Sequence, residues 1–355
     1  VPPTVVINNS SGVTVALTTP QPRRLIGSST GTNGKLVLKS GNLSGGAHVR
    51  IFSPSTIVRI GGTIGVLPDS LSNLTVNYQN TSTITTGPEF GNLNTTTIGG
   101  TVTLGTVNVL INGGSTVNLA ATKEASSVSL INGTFDFNSN NLTVNDTLKM
   151  AGGSLSLGSS TLTYGSSAVL EYAGTAAQNV GFQEWPSNGA LSVPPTVVIN
   201  NSNNVTIGLA SPQPKRLIGS SVGTNGRLVL KNGTLFNSSN ARLYSPSTII
   251  RIAGAMSSLP DSLSSLTVNY QNTSPITTGP EFGVVNSTSI GGTVNLGTVS
   301  LVVNTPSTVT LAANRQVNGS ISLTSGTLDI STFTLTSRGT LSRTNGAITA
   351  TNGTV

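Results

Sequence analysis

The sequence predicts an all-β chain wound as a parallel β-solenoid. Three observations carry that prediction: a long block repeated along the chain, a shorter template repeated inside it, and a composition suited to strands and tight corners. The phrase "VPPTVVINNS" at 1–10 returns unchanged at 193–202. "PQPRRLIGSSTGTNGKLVLK" (20–39) meets "PQPKRLIGSSVGTNGRLVLK" (212–231), and "LPDSLSNLTVNYQNTSTITTGPEFG" (67–91) meets "LPDSLSSLTVNYQNTSPITTGPEFG" (259–283). The register slips by one residue near Asn318, so that "GTFDF" at 133 pairs with "GTLDI" at 326. The domain reading is therefore 1–192 as a first repeat unit and 193–355 as a second, incomplete one.

The shorter template appears in "GTFDFNSNNLTV" (133–144), "GSLSLGSSTLTY" (153–164) and "GTLDISTFTLTS" (326–337). Each reads as two short strands with alternating apolar residues, joined by a corner of Ser, Asn or Gly. Such a unit cannot bury its apolar face alone and needs copies above and below it. Stacked coils of about 20 residues satisfy this, with Leu, Val and Ile inside at the ~4.8 Å spacing of paired strands. Right-handed coiling is expected from the crossover rule for parallel strands. Glycine suits the corners where φ is positive, and Asn132, Asn141 and Asn232 are expected to serve there too. Tandem β-sandwich domains are the alternative, but they leave the shorter template unexplained.

Charged residues make up 8% of the chain and aromatics 4%, while β-branched residues are abundant. A disordered chain has the opposite profile. With no cysteine, packing and backbone pairing must supply the stability, and no apolar run approaches the ~20 residues of a membrane-spanning helix. The net charge is +7, yet Arg24, Lys35, Lys39, Arg50 and Arg59, with their partners Arg216, Arg227, Lys231, Arg242 and Arg251, are spread along the chain. Without interleaved aromatics they read as solvated strand faces, not a nucleic-acid surface; an anionic polysaccharide or cell-envelope contact is the other reading. In "KLVLK", alternation puts Lys35, Val37 and Lys39 on one face and Leu36 and Leu38 on the other.

The phrases "GSLSLGSSTLTYGSSAVLEYAGTAAQNVG" (153–181), "EWPSNG" (184–189) and "VVINNSNNVTI" (197–207) resemble the repeat style of large secreted surface and adhesin-like proteins of Bacteroidota and Ignavibacteria. The resemblance implies an extracellular parallel β-solenoid without a catalytic role. These 355 residues include no C-terminal sorting domain of that style, so the chain is expected to be an excerpt or a processed unit of a longer protein.

Parallel β-helices also include polysaccharide-cleaving enzymes, so the acids are candidates. Asp69 and Glu89 are separated by one template length, as are Asp261 and Glu281, a spacing that could place carboxylates on adjacent coils at a retaining-glycosidase distance. Each follows a proline, in "LPDS" and "GPEF", where turn punctuation is the simpler reading. His48 is the sole histidine and meets Asn240 in the second repeat, so no histidine metal cluster or triad recurs. Calcium is possible on a secreted solenoid but would want clustered carboxylates, which are lacking, and no other cofactor is expected. Tyr172, Phe182 and Trp185 gather before the second "VPPT", either as a plug at the junction or as an aromatic sugar platform. Candidate glycosylation sites are the sequon asparagines Asn8, Asn9, Asn42, Asn73, Asn80, Asn94, Asn132, Asn141, Asn145, Asn200, Asn204, Asn232, Asn237, Asn272, Asn286, Asn318 and Asn352.

A chain that repeats a whole block of coils extends a rod. The expectation is a structural subunit of an extracellular fibre or cell-surface filament, glycosylated, joined end to end with further repeats or copies of itself, and not an enzyme. A glycan-binding adhesin module is the alternative, and a polysaccharide-cleaving enzyme a more distant one.

Overall fold

Alternating apolar residues meet their counterparts one coil later, in parallel and in register. In the computed structural model the strand Thr4–Asn8 pairs with Lys35–Ser40, which pairs with Ser55–Arg59, then Asn73–Tyr78, then Thr106–Asn118. Lys123–Asp136 and Leu142–Met150 continue the ladder. Each early coil has three strands, so Val13–Thr14 pairs with Asn42–Ser44, and Arg24–Ile26 with Val49–Ile51. The parallel pairing excludes the sandwich alternative, because sandwich sheets are antiparallel. The structure describes residues 1–16, 23–28, 30–68, 73–90, 97–98, 102–103, 106–187, 192–208, 215–220, 225–244, 246–260, 265–282, 289–290, 294–295 and 298–355.

Two units follow, Val1–Ala168 and Val169–Val355. The second sequence repeat begins inside the second unit, whose ladder runs from Val169–Tyr172 through Thr196–Asn200, Arg227–Asn232, Ser247–Arg251, Ser265–Tyr270 and Thr298–Thr310 to Ile321–Asp329. No helix of the described residues is long and apolar enough to cross a membrane.

Coil length varies more than the shorter template suggests. The steps from Leu36 to Ile57 and from Ile57 to Val76 are short, whereas those from Thr4 to Lys35 and from Asn73 to Thr106 are half as long again. The step from Asn73 is long because its coil carries an antiparallel hairpin, Thr97–Ile98 against Val102–Thr103. The second repeat gives the same series, as Thr196 to Arg227, Leu228 to Ile249, Ile249 to Val268 and Ser265 to Thr298. The template itself is one full coil, for Phe135 meets Leu155 and Leu142 meets Leu162. Loops can lengthen because only the strand segments must stay in register.

The slip at Asn318 has a local cause. Val109 pairs with Val128, but its counterpart Leu301 pairs with Ile321, a step longer by a single residue. The extra residue divides what is one strand in the first repeat, Lys123–Asp136, into Arg315–Val317 and Ile321–Asp329.

Inside the coils, Leu36, Ile57, Val76, Val109 and Val128 form one aliphatic column, all buried. Leu36 and Leu38 face inward and Lys35 and Lys39 outward, as the alternation predicts. At the corners, glycine takes most of the positive φ values. Gly41 and Gly233 both sit at +71°, where a Cβ would lie 1.8 Å from the carbonyl oxygen of Asn9 or Asn201. Asn138, Asn204 and Asn237 share that conformation. Asn132, Asn141 and Asn232, expected to adopt it, instead accept the N–H groups of Gly133, Thr161 and Gly233.

Removing the Leu38 side chain, which is wholly buried, leaves a cavity the stacked neighbours cannot fill. Leu38→Ala is expected to destabilise the chain by about 2–5 kcal/mol, and Lys39→Ala by no more than about 0.5 kcal/mol. Comparing urea midpoints of the two variants tests the inward and outward assignment, which equal losses would overturn.

Candidate functional site

An arginine occupies the aliphatic interior. The inward column through Leu38 continues to Arg59, then Tyr78 and Ile111. Strand alternation forces Arg59 inside, and its side chain is only 2% exposed. A buried cation without a partner costs several kcal/mol. The segment 86–90 supplies one by turning into the coil: Arg59 Nη1 donates to Glu89 Oε1 in an ion pair between two buried side chains. The same carboxylate oxygen accepts Tyr78 Oη at 3.0 Å and the Gly87 N–H at 2.9 Å. Phe90 follows into the interior, its ring centroid 6.4 Å from that of Phe135.

The second repeat rebuilds the group from Arg251, Tyr270, Glu281 and Gly279. Arg251 Nη1 lies 2.5 Å from Glu281 Oε1, with Tyr270 Oη at 2.9 Å and Gly279 N at 2.9 Å. A variant occurs in the coil that precedes the second repeat, where Tyr172 Oη donates to Glu184 Oε1 at 3.1 Å and the Gly181 N–H donates to the same oxygen. Arg216, from the following coil, donates through Nη1 to the Trp185 carbonyl at 2.9 Å, beneath the Phe182 ring, whose centroid is 3.6 Å from the guanidinium carbon.

The simple reading of Arg59, Arg216 and Arg251 as solvated basic residues is therefore corrected, because all three are buried. Glu89 and Glu281 are buried ion-pair partners, not surface turn residues. Asp69 and Asp261, the expected companions of these glutamates, lie outside the described residues, as do Asn94 and Asn286. The sequence signal was a Tyr placed 11 residues before a Glu in each repeat and 12 residues before it in the intervening coil. A Gly stands two residues before Glu89 and Glu281 and three before Glu184, and an aromatic follows each Glu directly.

The remaining acids of the described residues also accept hydrogen bonds. Glu124 takes Asn145 Nδ2, Glu171 takes Asn200 Nδ2, Asp136 takes the Asn138 N–H, Asp146 takes Ser127 Oγ, and Asp329 takes the Ser331 N–H. No group of three or more His, Cys, Asp or Glu that could hold a metal occurs among the described residues. His48 is half-buried at the end of the turn Gly46–His48, and Asn240 ends the matching turn Ser238–Asn240.

Tyr172 and Trp185 are buried, with ring centroids 6.1 Å apart, and Trp185 Nε1 donates to the Leu217 carbonyl at 2.8 Å. Of the three aromatics only Phe182 is exposed, so they make no open platform. Among the sequon asparagines, Asn8, Asn9, Asn42, Asn73, Asn132, Asn141, Asn232, Asn237 and Asn352 are exposed, and Asn145, Asn200, Asn204 and Asn318 are half-buried. Asn80 and Asn272 are wholly buried: Nδ2 of Asn80 donates to the carbonyls of Ser82 and Thr116, and that of Asn272 to Ser274 and Thr308. Folded, neither leaves room for a sugar on its amide.

No protein-family model matches the chain, and neither does any curated protein or solved structure.

Glu89→Ala leaves Arg59 uncompensated and is expected to cost about 3–5 kcal/mol, whereas Arg59→Met with Glu89→Leu, which removes both charges, costs less than the single change. A denaturant series on both variants reads this directly, and a double variant worse than the single would overturn it. Burial first, then the neighbouring Glu89 or Glu281 carboxylate, pushes the hydroxyls of Tyr78 and Tyr270 well above the usual tyrosine range. The fold thus favours the protonated form, so this contribution to stability is complete below about pH 10 and is lost as pH rises through the folded values. In a phenolate absorbance titration, these two of the five tyrosines are expected to ionise only as the β circular dichroism collapses. Reversible ionisation of every tyrosine near the ordinary value, with the dichroism intact, would refute it.

Proposed function

We propose that this chain is a length-giving structural segment of an extracellular fibre or cell-surface filament, in which solenoid repeats continue end to end. One observation carries the reading: the second repeat reproduces the first coil for coil, in its series of long and short steps and in the Arg–Tyr–Glu group that pins the loop. Duplicating a fold with its internal fastenings extends a rod instead of building a site. The acids support this, since those described are already engaged by donors of the fold.

The secreted placement rests on the resemblance to Bacteroidota and Ignavibacteria surface proteins. A coat of sugars on the exposed sequon asparagines would give a hydrophilic surface to a chain with few charges. The partners on this reading are copies of the same repeat, and the singly spaced Lys35, Lys39, Arg227 and Lys231, all exposed, suit contact with an anionic polysaccharide or cell envelope.

Cryo-electron microscopy of native material is expected to show filaments with coils spaced by about 4.8 Å along the axis, with extra density on exposed asparagines and none at Asn80 or Asn272. Discrete particles without axial continuation would overturn the fibre, and a polypeptide of bare mass would remove the sugar coat.

A further inference from the structure

In an Asn-Gly pair the glycine main-chain nitrogen can attack Cγ of the asparagine before it, because glycine has no side chain to obstruct the approach. The fold decides whether that nitrogen is available. In four pairs it is spent on the ladder: the N–H groups of Gly34, Gly226, Gly319 and Gly346 donate to the carbonyls of Phe52, Tyr244, Val299 and Leu323 at 3.1, 2.9, 2.8 and 3.2 Å. In Asn132-Gly133 and Asn232-Gly233 it turns back on its own asparagine, the glycine N–H donating to Oδ1 at 2.9 and 3.0 Å. Both glycines sit at corners, with φ of +82° and +71°. The strand register includes Asn132 and Thr134, and Asn232 and Thr234, and skips the glycine between them.

The asparagines themselves are exposed. Among the described residues, Nδ2 of Asn132 and of Asn232 donates to no acceptor, so nothing retains it. The glycine nitrogen already lies beside the amide it has to attack, in a near-attack arrangement. Turning the amide about Cβ–Cγ, a broad torsion in asparagine, presents the face of the carbon to it. The same two corners also occur with serine. Ser40-Gly41 stands where the second repeat has Asn232-Gly233, and Ser325-Gly326 where the first has Asn132-Gly133. Their glycines keep φ of +71° and +78°, so the fold does not require an amide at either corner.

We propose that Asn132 and Asn232 are sites of self-modification, converting to aspartyl and isoaspartyl residues through a cyclic imide. The bond from the glycine nitrogen to Cγ forms and the Cγ–Nδ2 bond breaks, and Nδ2 leaves as ammonia with the proton that the glycine nitrogen gives up. Water then opens the imide. Cleavage of the new bond at Cγ gives aspartate, and cleavage of the original peptide bond gives isoaspartate, with the main chain rerouted through Cβ and Cγ. The added main-chain carbon falls between paired positions, because the glycine lies outside the ladder. Each conversion exchanges a neutral amide for a carboxylate and lowers the net charge of +7 by one, at the second site next to exposed Lys231. Asn132 lies in the unit Val1–Ala168 and Asn232 in Val169–Val355, so each unit carries its own chemical record of age. The inference does not depend on the fibre reading.

The test is incubation of the full chain, at the mass of the bare polypeptide and at mildly alkaline pH, followed by peptide mass mapping and isoaspartyl assay. Asn132 and Asn232 are expected to convert about tenfold or more faster than Asn33, Asn225, Asn318 and Asn345, and hydroxylamine, which cuts cyclic imides, is expected to cleave at the two sites. In urea the advantage is expected to vanish, since all these pairs share the Asn-Gly sequence. Asn132→Ser with Asn232→Ser, the residues the fold already holds at the counterpart corners, is expected to lose both products and keep the β circular dichroism. Equal rates at all these pairs in the folded chain, or an advantage that survives unfolding, would overturn the proposal. Hydroxylamine fragments at the same positions in the double serine variant would overturn it as well.

Discussion

Everything in this molecule depends on each coil having a neighbour. A single coil presents its strand N–H and C=O groups along the axis and its apolar side chains to a thin core, and it can satisfy neither by itself. Parallel, in-register stacking meets both needs at once. The strand positions of successive coils are therefore fixed and the connections between them are free, which is why short and long coils sit in the same ladder. The inserted residue near Asn318 fits this division, because it breaks one strand at a corner and leaves the pairing of Leu301 with Ile321 and Val303 with Leu323 in place.

The buried arginines are the exception that the ladder has to accommodate. Alternation delivers Arg59 and Arg251 to the interior column between a leucine and a tyrosine, and the desolvated guanidinium must be answered by a charge of opposite sign. The glutamate that answers it lies 30 residues on in each repeat and brings its own loop into the coil, followed by a phenylalanine. One oxygen of that carboxylate gathers a guanidinium, a phenol and a backbone amide. The group therefore ties together two stacked strands and the turn after them. Buried ion pairs contribute little net stability over an apolar replacement, so the role that follows from the geometry is fixing where the loop after Ile84–Thr85 enters.

The coil before the second repeat carries the same arrangement with two changes. Tyr172, Glu184 and Gly181 repeat the carboxylate contacts, but the aromatic after the glutamate is Trp185, and the arginine comes from the following coil and bonds the Trp185 carbonyl. This coil also receives buried Asn201, whose Nδ2 donates to the Ala176 carbonyl and Gln178 Oε1. Asn80 and Asn272 play the equivalent part at their own corners. A sequon is a statement about three adjacent residues, and these two asparagines show how little it says about burial.

Several features were legible in the residues alone. The long repeat, the alternation in "KLVLK" and the shorter template point to stacked coils, in which short alternating strands that recur bury one face and pair both edges, while the observed parallel pairing is what excludes the sandwich. The inward leucines and outward lysines follow from the same alternation. What only the tertiary structure decided was the fate of the polar residues. Arg59 and Lys39 both look like lone surface cations, and Glu89 after its proline looks like a turn residue. Sequence spacing does not reveal that a loop folds inward to bring Glu89 to Arg59, nor that Trp185 fills a coil instead of facing solvent. Local pattern sets which face a strand side chain takes, whereas the partner that makes a buried charge tolerable is chosen by contacts far away along the chain.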